Sequence, residues 1–417
     1  MHQIKENKSQ RCMLVGIDCE EYNCEQSLLE LKELCTSAGG EAVITVSQKR
    51  EAPDNATCVG VGKLNEIAIL CAANDIDLII FDTELSPVQL RNIEDSVECG
   101  VIDRTMLILD IFASRAKTAD GKLQVELAQL KYRLPRLLGR GTALSRLGGG
   151  IGTRGPGESK LESDRRHINR RIESLEKEIK ALDKRRTSLR EARKKKELKT
   201  VALVGYTNVG KSTLLNKLTG SDVFSKDMLF ATLDPSVRSL ELNNGQSVLL
   251  IDTVGFVSRL PHQLVSAFKS TLDEAVCADL ILNVCDVSSD SYLTQLEITN
   301  KLLKELGCNE DKIITVFNKC DKLIGNIGID VNKTSLCVSA YTGYGLDLLL
   351  NRIEDELCST VKLNLLLPYD KLDLIGKIKI DGKIENQEYL ENGVLLSAYI
   401  DKKILYLVSD FVQKDSV

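Results

Sequence analysis

One octapeptide limits what this chain can fold into more than any other feature: Gly205-Tyr206-Thr207-Asn208-Val209-Gly210-Lys211-Ser212. It has the form G-x-x-x-x-G-K-S. The apolar run Val201-Ala202-Leu203-Val204 precedes it, and Thr213-Leu214-Leu215 follows as the start of a helical pattern. A strand must therefore feed a tight loop that opens a helix. The reason is steric and electrostatic. Gly205 and Gly210 let the backbone wrap a phosphate, and the N–H groups at the helix N-terminus offer it partial positive charge. Lys211 would reach the outer phosphates, and Ser212 would ligate Mg2+. The same letters can also describe a glycine-containing turn with an exposed lysine; the strand in front argues against that.

Three further segments follow. Asp252-Thr253-Val254-Gly255 ends an apolar run. Asp252 would hold Mg2+ through water, and the Gly255 N–H would meet a γ-phosphate. Thr232 stands upstream in the irregular segment Phe230–Ser236, where a threonine can close over the γ-phosphate and Mg2+. Asn318-Lys319-Cys320-Asp321 ends another run. The Asp321 carboxylate can accept hydrogen bonds from N1 and N2 of guanine, each worth about 1.5–3 kcal/mol, and adenine lacks those donors. Ser339-Ala340 would complete the base pocket through the backbone. Each segment is weak by itself. In this order they predict a GTP site, with Lys211, Thr232 and Gly255 at the reacting phosphate and Ser212, Thr232 and Asp252 around the metal.

The rest of the chain divides by periodicity. Apolar runs at 12–18, 42–46 and 77–82 alternate with helical stretches, one through Leu28, Leu31 and Leu34 and closed by Gly39-Gly40. That pattern predicts a small parallel sheet covered on both faces in a domain spanning 1–114. Ser86-Pro87 reads as a helix N-cap with proline in the first turn. Over 115–199, Leu123, Leu127, Leu130 and Leu134, then Ile168, Ile172, Leu175, Ile179, Leu182 and Leu189, give an antiparallel helical hairpin. Its second helix would reach about 45 Å. The outer positions are basic: Arg165, Arg166, Arg170, Arg171, Lys184, Arg185, Arg186, Arg190 and Arg193–Lys196. Residues 145–159 between the helices are too rich in Gly and Pro for helix or strand. Residues 200–360 return to strand–helix alternation, with a β-hairpin turn at Asn243-Asn244-Gly245. Residues 361–417 read as a small α+β domain, in which 394–400 and 404–408 could pair as a hairpin. The fold class is α/β, with a P-loop domain at its centre.

Composition closes off other readings. No apolar run approaches a membrane span, and the first ten residues are too polar for a secretory signal. Thirteen cysteines show no C-x-x-C spacing beside only three histidines, so they read as small buried or half-buried residues in a reducing compartment. A net charge of −5 argues against a surface basic throughout, not against a local basic patch.

Segments 82–95, 101–137 and 145–166 (the last beginning Ser-Arg-Leu-Gly-Gly-Gly-Ile-Gly-Thr-Arg-Gly-Pro-Gly-Glu-Ser) resemble the HflX family of ribosome-associated GTPases. The resemblance runs over about residues 12–358. It implies binding to the large ribosomal subunit and splitting of stalled or idle ribosomes with GTP; a cytoplasmic, monomeric protein is expected. The rRNA would be met by the hairpin, with Arg140, Arg146 and Arg154 flanking the glycines, and by the N-terminal domain. Lys and Arg would neutralise phosphates and release counterions there. A solvated coiled coil is the plainer reading of the same residues. Two alternatives stay open: a nucleotide-dependent RNA-remodelling enzyme, and an anti-association factor for which GTP is structural.

Two positions depart from a Ras-like site. Phe256 follows Asp252–Gly255 where a glutamine would orient water; slow intrinsic hydrolysis stimulated by the partner is expected. Asn208 resembles the asparagine by which potassium-activated GTPases hold K+, and equally suits a loop residue that tolerates an unusual backbone angle.

Overall fold

The computed structural model describes residues 9–20, 22–138, 156–195, 198–220, 229–230, 236–259, 269–323, 334–357, 360–401 and 404–413. Thr232 and residues 139–155, with Arg140, Arg146 and Arg154, lie outside them. The chain forms two compact units. One is Met1–Arg190 with Ser225–Pro235 and Val254–Asp273; the other is Glu191–Phe224, Ser236–Thr253 and Glu274–Val417.

In the first unit, β1 (Arg11–Asp18), β2 (Glu41–Lys49), β3 (Leu78–Phe81) and β4 (Gly100–Asp103) form an all-parallel sheet in the order β2-β1-β3-β4. Helices α1 (Cys24–Ser37), α2 (Val61–Ala73), α3 (Pro87–Glu94) and α4 (Arg104–Arg115) connect and follow the strands. Six central residues of β1 are buried, as a strand covered on both faces requires. Met13, Val15, Ile17, Ile67, Ile79 and Phe81 lie in one apolar cluster, each contributing about 1.5–3 kcal/mol by burial. The expected cap at Ser86 is present: its hydroxyl accepts from the Gln89 N–H, Gln89 returns the bond, and Pro87 sits in the first turn. β4 was not expected, because four residues are too few to show a period.

Helix α5 (Ala119–Leu138) leads to α6 (Pro156–Lys195). Asp120–Arg186 and Lys131–Glu176 ion pairs join them in antiparallel sense. At 40 residues, α6 spans about 60 Å, longer than expected, because Pro156 begins it and draws the end of the glycine-rich stretch into helix. Leu175 on the seam is fully buried, whereas Leu189 is exposed, so the apolar seam ends earlier than its sequence pattern. The base of α5 is tied down by Tyr132, whose hydroxyl donates to Asp103 at 2.5 Å, and by Arg136 stacked 3.5 Å over the Tyr132 ring.

In the second unit, β5 (Lys199–Gly205), β6 (Ser236–Glu241), β7 (Ser247–Asp252), β8 (Leu280–Asp286), β9 (Ile313–Asn318) and β10 (Ser335–Cys337) form a sheet in the order β10-β9-β8-β5-β7-β6. Only β6 runs antiparallel, paired with β7 across the Asn243-Asn244-Gly245 turn. Helices α7 (Lys211–Thr219), α8 (Lys269–Val276), α9 (Tyr292–Glu305) and α10 (Leu346–Leu357) accompany it. The tail adds β11 (Thr360–Leu367), α11 (Asp373–Asp381), β12 (Gly382–Leu390), β13 (Gly393–Asp401) and α12 (Leu405–Val408), with an antiparallel sheet ordered β11-β13-β12.

The tail corrects one expectation. Residues 405–408 are helical, and β13 pairs instead with β11 and β12. The hairpin turn lies before β13, where Gly393 takes φ +148 and a Cβ would come 2.4 Å from the Leu367 carbonyl oxygen. Once β13 is saturated on both edges, the run after Asp401 covers the apolar cluster of Leu365, Ile378 and Leu396 through Val408.

Candidate nucleotide site

The loop between β5 and α7 is built from three left-handed residues: Gly205 (φ +145), Asn208 (φ +63) and Gly210 (φ +92). A side chain at Gly210 would put its Cβ 2.4 Å from the Asn318 amide nitrogen, and one at Gly205 would put it 2.1 Å from the Val284 carbonyl oxygen. The glycines are thus demanded by close approach as well as by φ. Tyr206, Thr207 and Val209 are buried and Asn208 is exposed. The Lys211 ammonium is buried and donates to the carbonyls of Gly205 (3.1 Å) and Tyr206 (2.7 Å). Burial lowers its pKa to about 8, while the Asp252 charge pulls the other way.

Beside it, the Ser212 hydroxyl donates to Asp252 Oδ2 at 2.7 Å. Asp252 and Thr253 are fully buried, and the Thr253 hydroxyl donates to the Leu203 carbonyl. A hydroxyl and a carboxylate held together at the mouth of β5 and β7 are hard oxygen donors. They fit Mg2+, which takes oxygen ligands; Ser212 and Asp252 would hold it, and it would supply positive charge beside bound phosphates. Thr213 lies half-buried on α7.

The ends of β9 and β10 join the same cluster. Asn318 Nδ2 donates to the Val209 carbonyl at 2.8 Å, and its Oδ1 accepts from the Ala340 N–H at 2.9 Å. Lys319, at φ +64, reaches the Asn208 carbonyl (2.9 Å) and Asp286 (2.6 Å). Asp321 Oδ1 accepts from the buried Ser339 hydroxyl at 2.5 Å. Asn318 therefore braces the loop between β5 and α7, and Asp321 is tied to Ser339 beside it.

Inside Asp252–Gly255 the chain passes from the second unit to the first: Thr253 belongs to one and Val254 to the other. Phe256 and Val257 are buried, so the phenyl ring is packed away. The next two residues meet a buried ion network. Arg104, 3% exposed, bridges Asp82 (2.8 Å) and Glu30 (2.6 Å) and donates to the Ser258 carbonyl at 3.2 Å. Ser258 offers its N–H and hydroxyl to Glu30. Arg259 reaches Asp82 at 2.8 Å and lies 4.0 Å over the Tyr22 ring. Phe230 meets Phe112 edge-on at 4.6 Å, and the Leu229 N–H donates to Ser37. Sequence reasoning missed Glu30, Asp82, Arg104, Ser258 and Arg259. One signal was present: Asp82 follows a buried parallel strand at its carboxyl end, where such sheets place ligand-facing groups.

Three family profiles match in succession. Residues 25–113 match a GTP-binding GTPase N-terminal region, 115–193 a GTP-binding GTPase middle region, and 200–319 a 50S ribosome-binding GTPase. The GTPase HflX of Caldanaerobacter subterraneus is 46% identical over 413 residues, spanning 99% of this chain and 96% of that protein. The GTPase HflX of Escherichia coli is 43% identical over 84% of each chain. Among solved structures, a GTP-binding protein from Sulfolobus solfataricus in complex with GDP is 24% identical, with TM-score 0.45, over 84% of this chain and 99% of that one. By the near full-length identity to these GTPases, this chain belongs to the HflX family.

Proposed function

We propose that this GTPase binds the large ribosomal subunit through residues 115–199 and the N-terminal domain, and that it promotes dissociation of stalled or idle ribosomes. The observation that carries this reading is the solvent face of α6, where Arg165, Arg166, Arg170, Lys184 and Arg185 all stand exposed. A straight basic face of this length suits a track of phosphates. In this reading Asp321 selects guanine, Lys211 and the loop at 205–213 hold the phosphates, and Ser212, Asp252 and Thr232 hold Mg2+. The metal would neutralise the developing charge on the phosphates. Asn208 is left-handed with an exposed side chain. GTPase rates in K+ and Na+ at equal ionic strength, with Asn208→Ala, decide whether it also serves a cation.

Ser258 and Arg259, which bond Glu30 and Asp82 of the N-terminal domain, follow Gly255 by only three and four residues. The nucleotide then shifts the balance of ribosome-binding states by its differential affinity for them. The cytoplasm is where such a partner is met. Sedimentation of intact ribosomes with the protein plus GTP, a non-hydrolysable analogue, GDP or ATP tests the proposal. Subunit separation with GTP but not GDP is expected. Intact ribosomes under every nucleotide would refute it, and separation with ATP alone would favour the RNA-remodelling alternative.

A further inference from the structure

Among the described residues, several cysteines stand in contact pairs. Cys12 hydrogen-bonds Cys35, and both are buried in the first unit. Cys71 hydrogen-bonds Cys99, with Cys71 buried. The third pair differs in place and in access. The Cys320 and Cys337 side chains interact, the Cys320 thiol also donates to the Phe317 carbonyl at 3.2 Å, and both are half-buried. Cys320 is the third residue of Asn318-Lys319-Cys320-Asp321, and Cys337 lies two residues before Ser339. Their thiols sit between the two backbone segments that carry Asp321 and Ser339.

We infer that Cys320 and Cys337 form an oxidisable dithiol whose disulfide disables guanine-nucleotide binding. The backbone brings the two residues side by side. Cys337 pairs in parallel register with Phe317, and the Cys320 N–H donates to the Val338 carbonyl, one residue after Cys337, at 3.2 Å. A disulfide spans Cα atoms about 4.4–6.8 Å apart, and a backbone hydrogen bond between adjoining segments brings residues to that order of separation. Burial pushes the Cys320 thiol up to about 12, and both thiols stand half-buried, where a small oxidant can reach them.

With hydrogen peroxide the step balances as follows. One thiolate of the pair attacks one peroxide oxygen, the O–O bond breaks, and the departing hydroxide takes up the thiol proton as water. The sulfenic acid so formed is then attacked by the other sulfur, the S–S bond forms, and a second water leaves. The two sulfurs lose two electrons, and the peroxide gains them.

Closing the bond draws the sulfurs from contact distance to about 2.05 Å. Cys320 is bonded directly to Asp321, whose carboxylate is matched to Ser339 at 2.5 Å. A displacement of this loop misaligns the carboxylate that reads guanine. Loss of one charge-assisted hydrogen bond weakens binding at least tenfold. By reciprocity, bound GDP disfavours the disulfide by the same factor.

The test uses the full chain, freed of nucleotide, with and without hydrogen peroxide. Peptide mapping should find Cys320 linked to Cys337, the GDP dissociation constant should rise at least tenfold, and a reductant should restore it. GDP bound beforehand should slow the linkage. Cys337→Ser, which binds GDP as wild type does under reductant, should keep its affinity after peroxide. The inference is overturned by the absence of the linked peptide, by a linked protein with unchanged GDP affinity, or by Cys337→Ser losing affinity to peroxide as wild type does.

Discussion

The Lys211 ammonium makes the nucleotide affinity of this protein pH-dependent in a calculable way. Burial lowers its pKa to about 8 in the free protein. A bound diphosphate supplies the counter-charge that the loop carbonyls only partly provide, so the amine of the complex stays protonated. Binding therefore selects the protonated fraction, about nine-tenths at pH 7, half at pH 8 and one-tenth at pH 9. GDP affinity should fall about tenfold from pH 7 to pH 9, or about 1.4 kcal/mol. Calorimetry in buffers of different ionisation heat should count about half a proton taken up per GDP at pH 8, and about 0.9 at pH 9. Stability of the free protein runs oppositely. A lysine whose folded pKa is depressed leaves the unfolded chain holding more protons between pH 8 and about 10.4, so stability rises with pH across that window. Lys211→Met should bind weakly and without this pH dependence. Affinity flat from pH 7 to 9, with identical heats in every buffer, would refute the argument.

Three further outcomes follow from particular contacts. Asp321→Asn removes the acceptor charge for guanine N1 and N2; GDP affinity should fall about tenfold to a hundredfold, while the weak affinity for ADP measured in the same titration stays put. Asp82 is fully buried and accepts from Ser27, Arg104 and Arg259; Asp82→Asn leaves two guanidinium groups undercompensated and should cost about 3–5 kcal/mol in urea unfolding. A loss below 1 kcal/mol would show that solvent already compensates the network. Tyr132→Phe deletes the hydrogen bond donated to Asp103 and the one accepted from Arg136, while Asp103 keeps Leu85, Met106 and Arg136 as donors; thermal unfolding should report a loss of about 1–3 kcal/mol.

The phosphate loop was legible in the sequence because its chemistry is contiguous. Eight adjacent residues carry the turn, the glycines and the lysine, and their spacing follows from the size of a phosphate. The cap at Ser86-Pro87 and the turn at Asn243–Gly245 were readable for the same reason: a local pattern determines a local geometry. The tail failed on competition. Residues 404–408 have the apolar, β-branched content of a strand, yet β13 has an edge partner on each side and no edge remains for them. Propensity gave way to tertiary pairing. Leu189 failed differently: it continues the heptad spacing of α6, but it is 54% exposed.

The ion network around Asp82 marks where reading a sequence stops. Asp82 and Arg259 are 177 residues apart, and Glu30 and Ser258 are 228 apart; no spacing rule joins such positions. Each alone is an ordinary charged residue after a strand or on a helix face. Together they give the residues after Asp252–Gly255 a fixed seat on the N-terminal sheet, with Arg259 held at φ +54. A non-glycine residue keeps a left-handed backbone at a cost, and here the Asp82 carboxylate and the Tyr22 ring offset it. The absence of a water-orienting glutamine at position 256 takes on a structural meaning in this light. The side chain there is an anchor, buried with Val257, and the segment's polar groups are committed to Glu30, Asp82 and Arg104. A buried phenyl ring cannot do the work a Ras-like enzyme assigns to a glutamine, and the residues that seat this loop lie in the N-terminal sheet and its helices.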